Sequence, residues 1–243
     1  MLHHTLNLSL DNDRHLVVGD IHGRYDLFMQ LLEIAKYDPT KDIIYSVGDI
    51  IDRGSQSVEM IQFFQQERCY TIQGNHELMC RSKDWYAVWL ANGGLECMDS
   101  LRNHNLTDKW LKDQVRDLPY VIDVGEDDED HAFRIIHAEM PYAWSDAYLK
   151  KTLNEAMNPH DPTFSHILWS RTTVEAAQAN IEDFKPNHYD LSFHPQRCRT
   201  YFSGHTPVKQ AMLVKDNWFL DTWIGGTMTM MDAVTKEKFT ITF

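Results

Sequence analysis

The sequence lacks the features that mark membrane-spanning, secreted and disulfide-bonded proteins. No apolar run approaches the roughly 20 residues that cross a bilayer, and residues 1–12 lack the charged-then-apolar pattern of a signal peptide. No Cys-x-x-Cys pair occurs among the scattered cysteines, which are Cys69, Cys80, Cys97 and Cys198. We therefore expect buried thiols rather than disulfides or a zinc knot, and a cytoplasmic protein.

Positive charge is also scarce. The 23 Lys and Arg residues stand against 36 Asp and Glu residues, which gives a formal net charge of −13. This balance argues against nucleic acid as a partner, because non-specific binding to nucleic acid needs a basic face. It also repels phosphorylated substrates at long range. An enzyme for phosphate esters would need a strong local source of positive charge, such as a metal site.

What the chain does contain is the composition of a globular protein. It has 243 residues, 43% hydrophobic and 24% charged, which suits one domain over residues 1–243. A strand-loop-helix pattern occurs three times in the first part, and this predicts an α/β fold with a parallel sheet core. The strands are predicted at 15–19, 43–47 and 69–73, and the helices at 25–37, 55–66 and 77–91.

The second part of the chain predicts further strands separated by helices. A hairpin is expected from strands 120–124 and 132–136 around an acidic turn, and clean alternation at 238–243 indicates a sheet with one buried face. The remaining predicted strands are 200–203, 212–214, 218–220 and 227–234, the predicted helices are 107–115, 147–157 and 167–179, and 184–197 is predicted as a loop.

Polar clusters flanked by glycine follow each of the first three strands. Asp20 and His22 stand two positions apart, so in extended backbone they point the same way. Asp49 opens the second cluster, and Asn75 with His76 forms the third. A helix cap with a surface arginine would explain the second loop alone equally well. Because parallel neighbours bring such loops to one edge, the repetition favours a shared site.

Two further histidines extend this set of donors. His137 lies at the end of one predicted strand, and His205 follows another. A hydrogen-bonded histidine in the core is the alternative to a metal ligand for His137. The six strand-end residues offer only oxygen and nitrogen and exceed what one tetrahedral zinc needs, but they suit two ions that share a carboxylate. Such ions lie roughly 3.5–4 Å apart and hold a water that can attack phosphorus in line.

These clusters together resemble the motifs of the calcineurin-like metallophosphoesterases. Within that family the chain is most similar to the phosphoprotein phosphatases of the serine/threonine type, and above all to small bacterial and bacteriophage members. The motifs run from Asp20 to about residue 207: Asp20-Ile21-His22-Gly23, Gly48 to Gly54, Gly74 to Glu77, His137-Ala138 and Gly204-His205-Thr206-Pro207. The fold implied is a β-sandwich of mixed sheets flanked by helices, with a dinuclear metal site at the strand ends.

The resemblance implies a metal-dependent phosphomonoesterase, a serine/threonine or dual-specificity protein phosphatase. It would use two divalent ions, with Mn²⁺ the first choice and Fe or Zn also compatible. Its substrate would be a phosphorylated protein or peptide, or a small phosphoester. The first ion would be held by Asp20, His22 and Asp49, and the second by Asp49, Asn75, His137 and His205.

The resemblance also implies roles in the chemistry. His76 would protonate the leaving alkoxide, and Asp52 would orient it. Arg53 would bind phosphate oxygens, together with Asn75 and His76. Arg171 matches a second phosphate-binding arginine of the phage type, although its residues alone fit a salt-bridged surface arginine equally well.

Three positions depart from the family pattern. Glu139 stands where many members carry Gly, Trp223 stands where a small residue is expected, and the stretch from Arg171 to His205 is longer than in the phage type. None of these departures removes a proposed ligand.

Two other functions stay open at this point. A symmetrical bis(5'-nucleosyl)-tetraphosphatase would typically have a non-acidic residue in place of Asp52, and Asp in place of Glu77. A non-catalytic metal-binding scaffold would have lost ligands or the His–Asp pair. The sequence leaves open the physiological substrate, the preference among phosphoserine, phosphothreonine and phosphotyrosine, the native metal and the oligomeric state.

Overall fold

The computed structural model describes residues 3–8, 10, 13–126, 131–140, 153, 162–179 and 199–243. The helix predicted at 147–157 and the loop predicted at 184–197 lie outside these residues, apart from position 153. The strands are β1 (His3–Leu6), β2 (Arg14–Val18), β3 (Asp42–Ser46), β4 (Cys69–Thr71), β5 (Val121–Val124), β6 (Phe133–Ile136), β7 (Thr200–Ser203), β8 (Met212–Val214), β9 (Asn217–Phe219), β10 (Thr227–Asp232) and β11 (Lys238–Thr242). The helices are α1 (Tyr25–Ile34), α2 (Ser57–Phe63), α3 (Asn75–Arg81), α4 (Tyr86–Trp89), α5 (Leu95–Asn103), α6 (Asp108–Val115), α7 (Pro162–Trp169) and α8 (Thr172–Gln178).

The strands form two mixed sheets. The first has the order β11-β10-β2-β3-β4, in which β2, β3 and β4 are parallel, as predicted from the repeated strand-loop-helix pattern. The second has the order β1-β5-β6-β7-β9-β8, with β6, β7 and β9 parallel to one another. The predicted hairpin of β5 and β6 is confirmed, and β8 with β9 and β10 with β11 also pair as antiparallel hairpins.

The two sheets face each other across an apolar core. Successive side chains of a strand point to opposite faces, so alternate residues belong to different layers. Val17 of β2 packs in the same cluster as Ile122 and Phe133 of the second sheet, whereas its neighbours Leu16 and Val18 face away from it. This arrangement is the predicted β-sandwich.

Helices cover the outer faces of both sheets. Leu16 and Val18 pack in one cluster with Phe28 and Leu31 of α1 and with residues of α2, α3, α5 and α6. On the second sheet, Val121 and Ile136 pack against Leu78 of α3 and against α7. No helix among the described residues combines the length and the apolar character needed to span a bilayer.

Two predicted helices need correction. The helix predicted at 77–91 begins two residues earlier and stops at Arg81, where Ser82 takes extended backbone, and α4 follows separately. Because Met79 and Cys80 of the first piece and Trp89 of the second are buried in the same cluster, the apolar spacing continues across the break. The helix predicted at 167–179 is two helices, separated at Ser170 and Arg171, where Arg171 has a non-helical φ of −126°.

Two elements were not predicted. The sparse apolar spacing of α5 leaves only Cys97, Ser100 and Leu101 buried. The short strand β1 begins with two histidines and is held by parallel pairing with β5. Its pairing partner lies more than a hundred residues away in the chain, so nothing local signals it.

Candidate metal and phosphate site

The candidate site lies where the parallel strands of both sheets end. Asp20 follows β2, Asp49 follows β3, and Asn75 begins α3 after β4. From the second sheet, His137 follows β6 directly and His205 follows β7. The carboxyl ends of parallel strands are where open α/β sheets place ligands, and here two such edges meet.

Asp49 is the centre of the cluster. Its Oδ2 lies 3.8 Å from Nε2 of His22, 3.5 Å from Nε2 of His137 and 3.9 Å from Nε2 of His76. The Asp20 carboxylate lies 4.0 Å from the same nitrogen of His22 and accepts the backbone N–H of His205 at 3.1 Å. Asp49 is therefore placed to share its carboxylate between two groups of ligands.

Asn75 contacts both histidines that follow strands of the second sheet. Its Oδ1 lies 2.9 Å from Nε2 of His137 and 2.9 Å from Nδ1 of His205. The other nitrogen of His137 is hydrogen-bonded to the Val47 carbonyl at 2.8 Å, which fixes its ring. All six predicted ligands thus come together in one cluster.

The protonation of these groups suits metal binding. Burial lowers the pKa of His22 and His137, and it lowers the pKa of His205 to about 3, so these imidazoles are neutral and can ligate. Burial opposes ionisation of Asp49, but in acid, where the surrounding imidazoles are protonated, their positive charge, that of His137 first, holds the pKa of Asp49 well below its usual range. His205 Nε2 is buried and has no hydrogen-bond partner among the described residues.

The cluster also concentrates negative charge away from water. Burial raises the pKa of Asp20 well above its usual range, with Asp221 and Asp49 adding to the effect. Burial likewise raises the pKa of Asp221 to about 6. Oxygen and nitrogen donors without a thiol, packed this closely, fit two divalent cations. One compact group of potential ligand atoms also includes His76, alongside His22 and Asp49.

His76 is held by two carboxylates. Its Nδ1 contacts Oδ2 of Asp52 at 2.6 Å, and its backbone N–H donates to Oδ1 of Asp49 at 3.0 Å. Burial alone would lower the pKa of His76, but Asp49 and Asp52 outweigh it, and the pKa is raised. Trp89 donates its indole N–H to the same Asp52 oxygen at 2.7 Å.

Two arginines border the same pocket. Arg53 places one guanidinium nitrogen 2.5 Å from Nε2 of His22 and another 3.2 Å from Nε2 of His76. Arg171 is exposed and lines the same pocket, as do Trp169 and Pro207. The cavity between them measures about 200 Å³ and reaches the carboxylates of the cluster.

The loops that carry the site adopt an uncommon backbone. His22, Asp49, Asp52, Arg53 and His205 have positive φ, between 50° and 72°. Such conformations cost of order 1–3 kcal/mol each and persist only where the surroundings fix them. Strain of this kind is typical of functional sites.

Glu77 supplies part of that support. Its carboxylate accepts the N–H groups of Asp49, Ile50 and Gly74 at 2.9–3.0 Å, and so ties two loops together. Gly74 itself has no room for a side chain, because a Cβ there would lie 2.2 Å from Oδ1 of Asp49.

Sequence reasoning missed three contacts at the site. The indole N–H of Trp89 binds Asp52, the Glu77 carboxylate binds the N–H groups of two loops, and Asp221 lines the pocket. Asp221 follows β9 just as the other acids follow their strands, and this position is the signal that could have found it.

Fold and site together define the class, a metal-dependent hydrolase of phosphate esters. The chain belongs to the calcineurin-like phosphoesterase family, whose profile matches residues 14–209. This confirms the family and the enzyme class that the motifs predicted.

Proteins of similar sequence carry the names of two kinds of phosphoesterase. The chain is 28% identical to serine/threonine-protein phosphatase 1 of Salmonella typhimurium over 229 residues, which cover 92% of this chain and 94% of the relative. It is 31% identical to serine/threonine-protein phosphatase 2 of Escherichia coli, over 74% of this chain and 92% of the relative. A symmetrical bis(5'-nucleosyl)-tetraphosphatase of Shewanella frigidimarina is 31% identical over 56% of this chain and 48% of the relative.

Solved structures agree on the fold. A protein serine/threonine phosphatase from Saccharomyces cerevisiae superposes with a TM-score of 0.59 at 18% identity, covering 96% of this chain and 76% of that one. At this level of identity the likeness concerns the fold alone, and it confirms the predicted sandwich.

Proposed function

We propose that this protein is a metal-dependent phosphomonoesterase that acts on phosphorylated serine or threonine in proteins. The observation that carries the proposal is the convergence of six potential ligands around Asp49, next to a histidine paired with a carboxylate. The relatives that match almost their whole length are serine/threonine-protein phosphatases, which supports this substrate class.

In this proposal the six residues hold two divalent ions, which we take to be Mn²⁺. Asp20, His22 and Asp49 would hold one ion, and Asp49, Asn75, His137 and His205 would hold the other. When bound, the ions would supply Lewis acidity toward the phosphate and toward the attacking water. The absence of thiol ligands favours a metal that accepts oxygen and nitrogen, so Fe and Zn are compatible as well.

His76 would act as general acid toward the leaving alkoxide. The 2.6 Å contact from Nδ1 to Asp52 turns Nε2 toward the pocket and fixes the proton on Nδ1. Nε2 is then the atom that would deliver a proton as the ester bond breaks. Asp52 acts through His76, and Trp89 restrains Asp52 through its indole N–H.

Arg53 and Arg171, which both line the cavity, would bind the phosphate oxygens. A guanidinium offers paired N–H donors that match a phosphate. Asn75 and His76 line the same cavity and would add further donors. This local positive charge offsets the repulsion that a net charge of −13 imposes on an anionic substrate.

The alternative activity is hydrolysis of symmetrical dinucleoside tetraphosphates. Relatives with that name match between 25% and 56% of this chain. Against it, Asp52 is present and in contact with His76, and Glu77 is present where the alternative predicts Asp.

The test compares substrates on chelator-stripped protein, with and without added Mn²⁺. We expect Mn²⁺ to restore hydrolysis of p-nitrophenyl phosphate and of a phosphoserine peptide, and to bind at two ions per chain. Faster hydrolysis of diadenosine tetraphosphate than of the peptide would favour the alternative. Full Mn²⁺ binding without activity on any of these esters would favour the non-catalytic scaffold.

We further propose that residues 1–243 form a single domain and that the protein works in a reducing cytoplasm. The two sheets share one apolar core, which supports the first point. Cys69, Cys80 and Cys97 are free and buried, which supports the second.

A further inference from the structure

Glu139 is buried two residues after His137 and lies outside the cluster of ligands. Its side chain is 3% exposed, and both carboxylate oxygens are used. Oε2 accepts the hydroxyl of Ser170 at 2.7 Å. Oε1 accepts the backbone N–H groups of Thr173 at 2.9 Å and Val174 at 3.3 Å. These contacts bracket Arg171, since one precedes it in the chain and two follow it.

Ser170 and Arg171 interrupt what the sequence predicts as one continuous helix. α7 ends at Trp169 and α8 begins at Thr172, and Arg171 between them has non-helical backbone. By capping the N–H groups of α8, Glu139 stabilises this break. A second tie runs from the N–H of Ala138 to the carbonyl of Ile167 at 2.8 Å.

We propose that Glu139 is a positioning residue for Arg171, and that it aims this arginine at the substrate phosphate. Arg171 is exposed, and its side chain makes no hydrogen bond to another of the residues that the structure describes, so the backbone from which it projects is expected to set its direction. Glu139 fixes that backbone relative to His137, only two residues away on the chain. The inference rests on the proposed role of Arg171 in phosphate binding.

The design of the test is a double-mutant cycle with Mn²⁺-loaded protein and p-nitrophenyl phosphate. E139A removes all three hydrogen bonds. E139Q keeps an acceptor for the α8 N–H groups and an amide that can donate to the Ser170 hydroxyl. S170A removes one of the three hydrogen bonds to Glu139, together with the 3.3 Å contact between the Ser170 and Thr172 hydroxyls. T107A is the control for the loss of a helix cap elsewhere, because the Thr107 hydroxyl accepts the N–H of Trp110 at the start of α6 and Thr107 does not line the pocket.

We expect E139A to raise KM, and the inhibition constant of inorganic phosphate, about tenfold, as for the loss of one charge-assisted hydrogen bond. kcat and the Mn²⁺ content should change less than about twofold, because the arginine binds substrate and transition state alike. E139Q should restore most of the affinity, S170A should fall between E139A and the unmodified protein, and T107A should change none of these values. In an R171A background, E139A should add nothing.

Three results would overturn the proposal in distinguishable ways. If E139A raises KM equally with and without Arg171, Glu139 does not act through this arginine. If E139A lowers Mn²⁺ content or kcat while KM stays constant, Glu139 positions His137 and not Arg171. If R171A itself leaves KM and phosphate inhibition unchanged, the proposed role of Arg171 is refuted along with this inference. If E139A does not fold, E139Q and S170A carry the same comparison.

Discussion

Replacing Asp123 by Asn should destabilise the protein by removing one half of a buried ion pair behind the site. Asp123 on β5 faces Arg134 on β6, and both side chains are 0% exposed. The contacts are bidentate, from Nε to Oδ1 at 2.5 Å and from Nη2 to Oδ2 at 2.9 Å. His3 of β1 adds a contact at 2.8 Å, so three strands meet at this carboxylate. β6 leads directly into His137, which links the pair to the site.

The size of the effect follows from burial. Removing one partner of a buried pair costs about 3–5 kcal/mol, because the other charge stays desolvated. Asn keeps the shape of Asp and one acceptor oxygen, so we expect the lower end, about 3 kcal/mol at pH 7. This is a large share of the 5–15 kcal/mol by which domains are typically stable.

The pH dependence gives a second, independent check. Burial opposes ionisation of Asp123, but Arg134 and His3 outweigh it and hold the pKa of Asp123 well below its usual range. A carboxylate with a depressed pKa in the folded state stabilises the protein above its unfolded pKa, and this stabilisation is lost as the pH falls. Between pH 5 and pH 3 the stability difference between the two proteins should shrink by roughly 1.2 kcal/mol.

Urea unfolding at pH 7, 5 and 3 measures both quantities. D113N is the control, since Asp113 takes part in exposed ion pairs on α6 and its removal should leave the midpoint nearly unchanged. Equal midpoints for D123N and the unmodified protein at pH 7 would refute the energetic argument. If the difference in stability between D123N and the unmodified protein stays constant from pH 5 to pH 3, Asp123 is not ionised in the folded protein as we infer.

Three further predictions concern the acid pair. D52N should leave Mn²⁺ content intact and lower kcat about tenfold or more, because it weakens the hold on His76 and the support for its raised pKa without removing a proposed ligand; equal losses of metal and rate, measured by metal analysis and steady-state kinetics, would contradict this. H76N should slow alkyl phosphates more than aryl phosphates, since poor leaving groups need the proton most, and equal slowing in parallel assays would argue against His76 as the acid. W89F removes the indole N–H from Asp52 and should give a kcat between those of D52N and the unmodified protein; an unchanged kcat would make Trp89 a packing residue only.

Much of the candidate site could be predicted because its signals are local. Asp20, His22, Asp49 and Asn75 each follow an apolar strand within a few residues, and the pattern of strand, loop and helix already predicts that parallel strands bring them together. The structure gathers all six predicted ligands, and it places Asp52, His76 and Arg53 in mutual reach. Periodicity failed where a break in a helix left the apolar spacing intact, as between α3 and α4.

The sequence by itself determined the donor chemistry, the parallel core and the family, because these depend on residue types at fixed short spacings. Only the tertiary structure decided how the second sheet completes the site and which side chains restrain it. Trp89 reaches Asp52 across 37 positions, and Glu139 reaches Ser170 across 31. Contacts of this kind depend on how loops close and helices pack around a shared core, and no local pattern of residues specifies those distances.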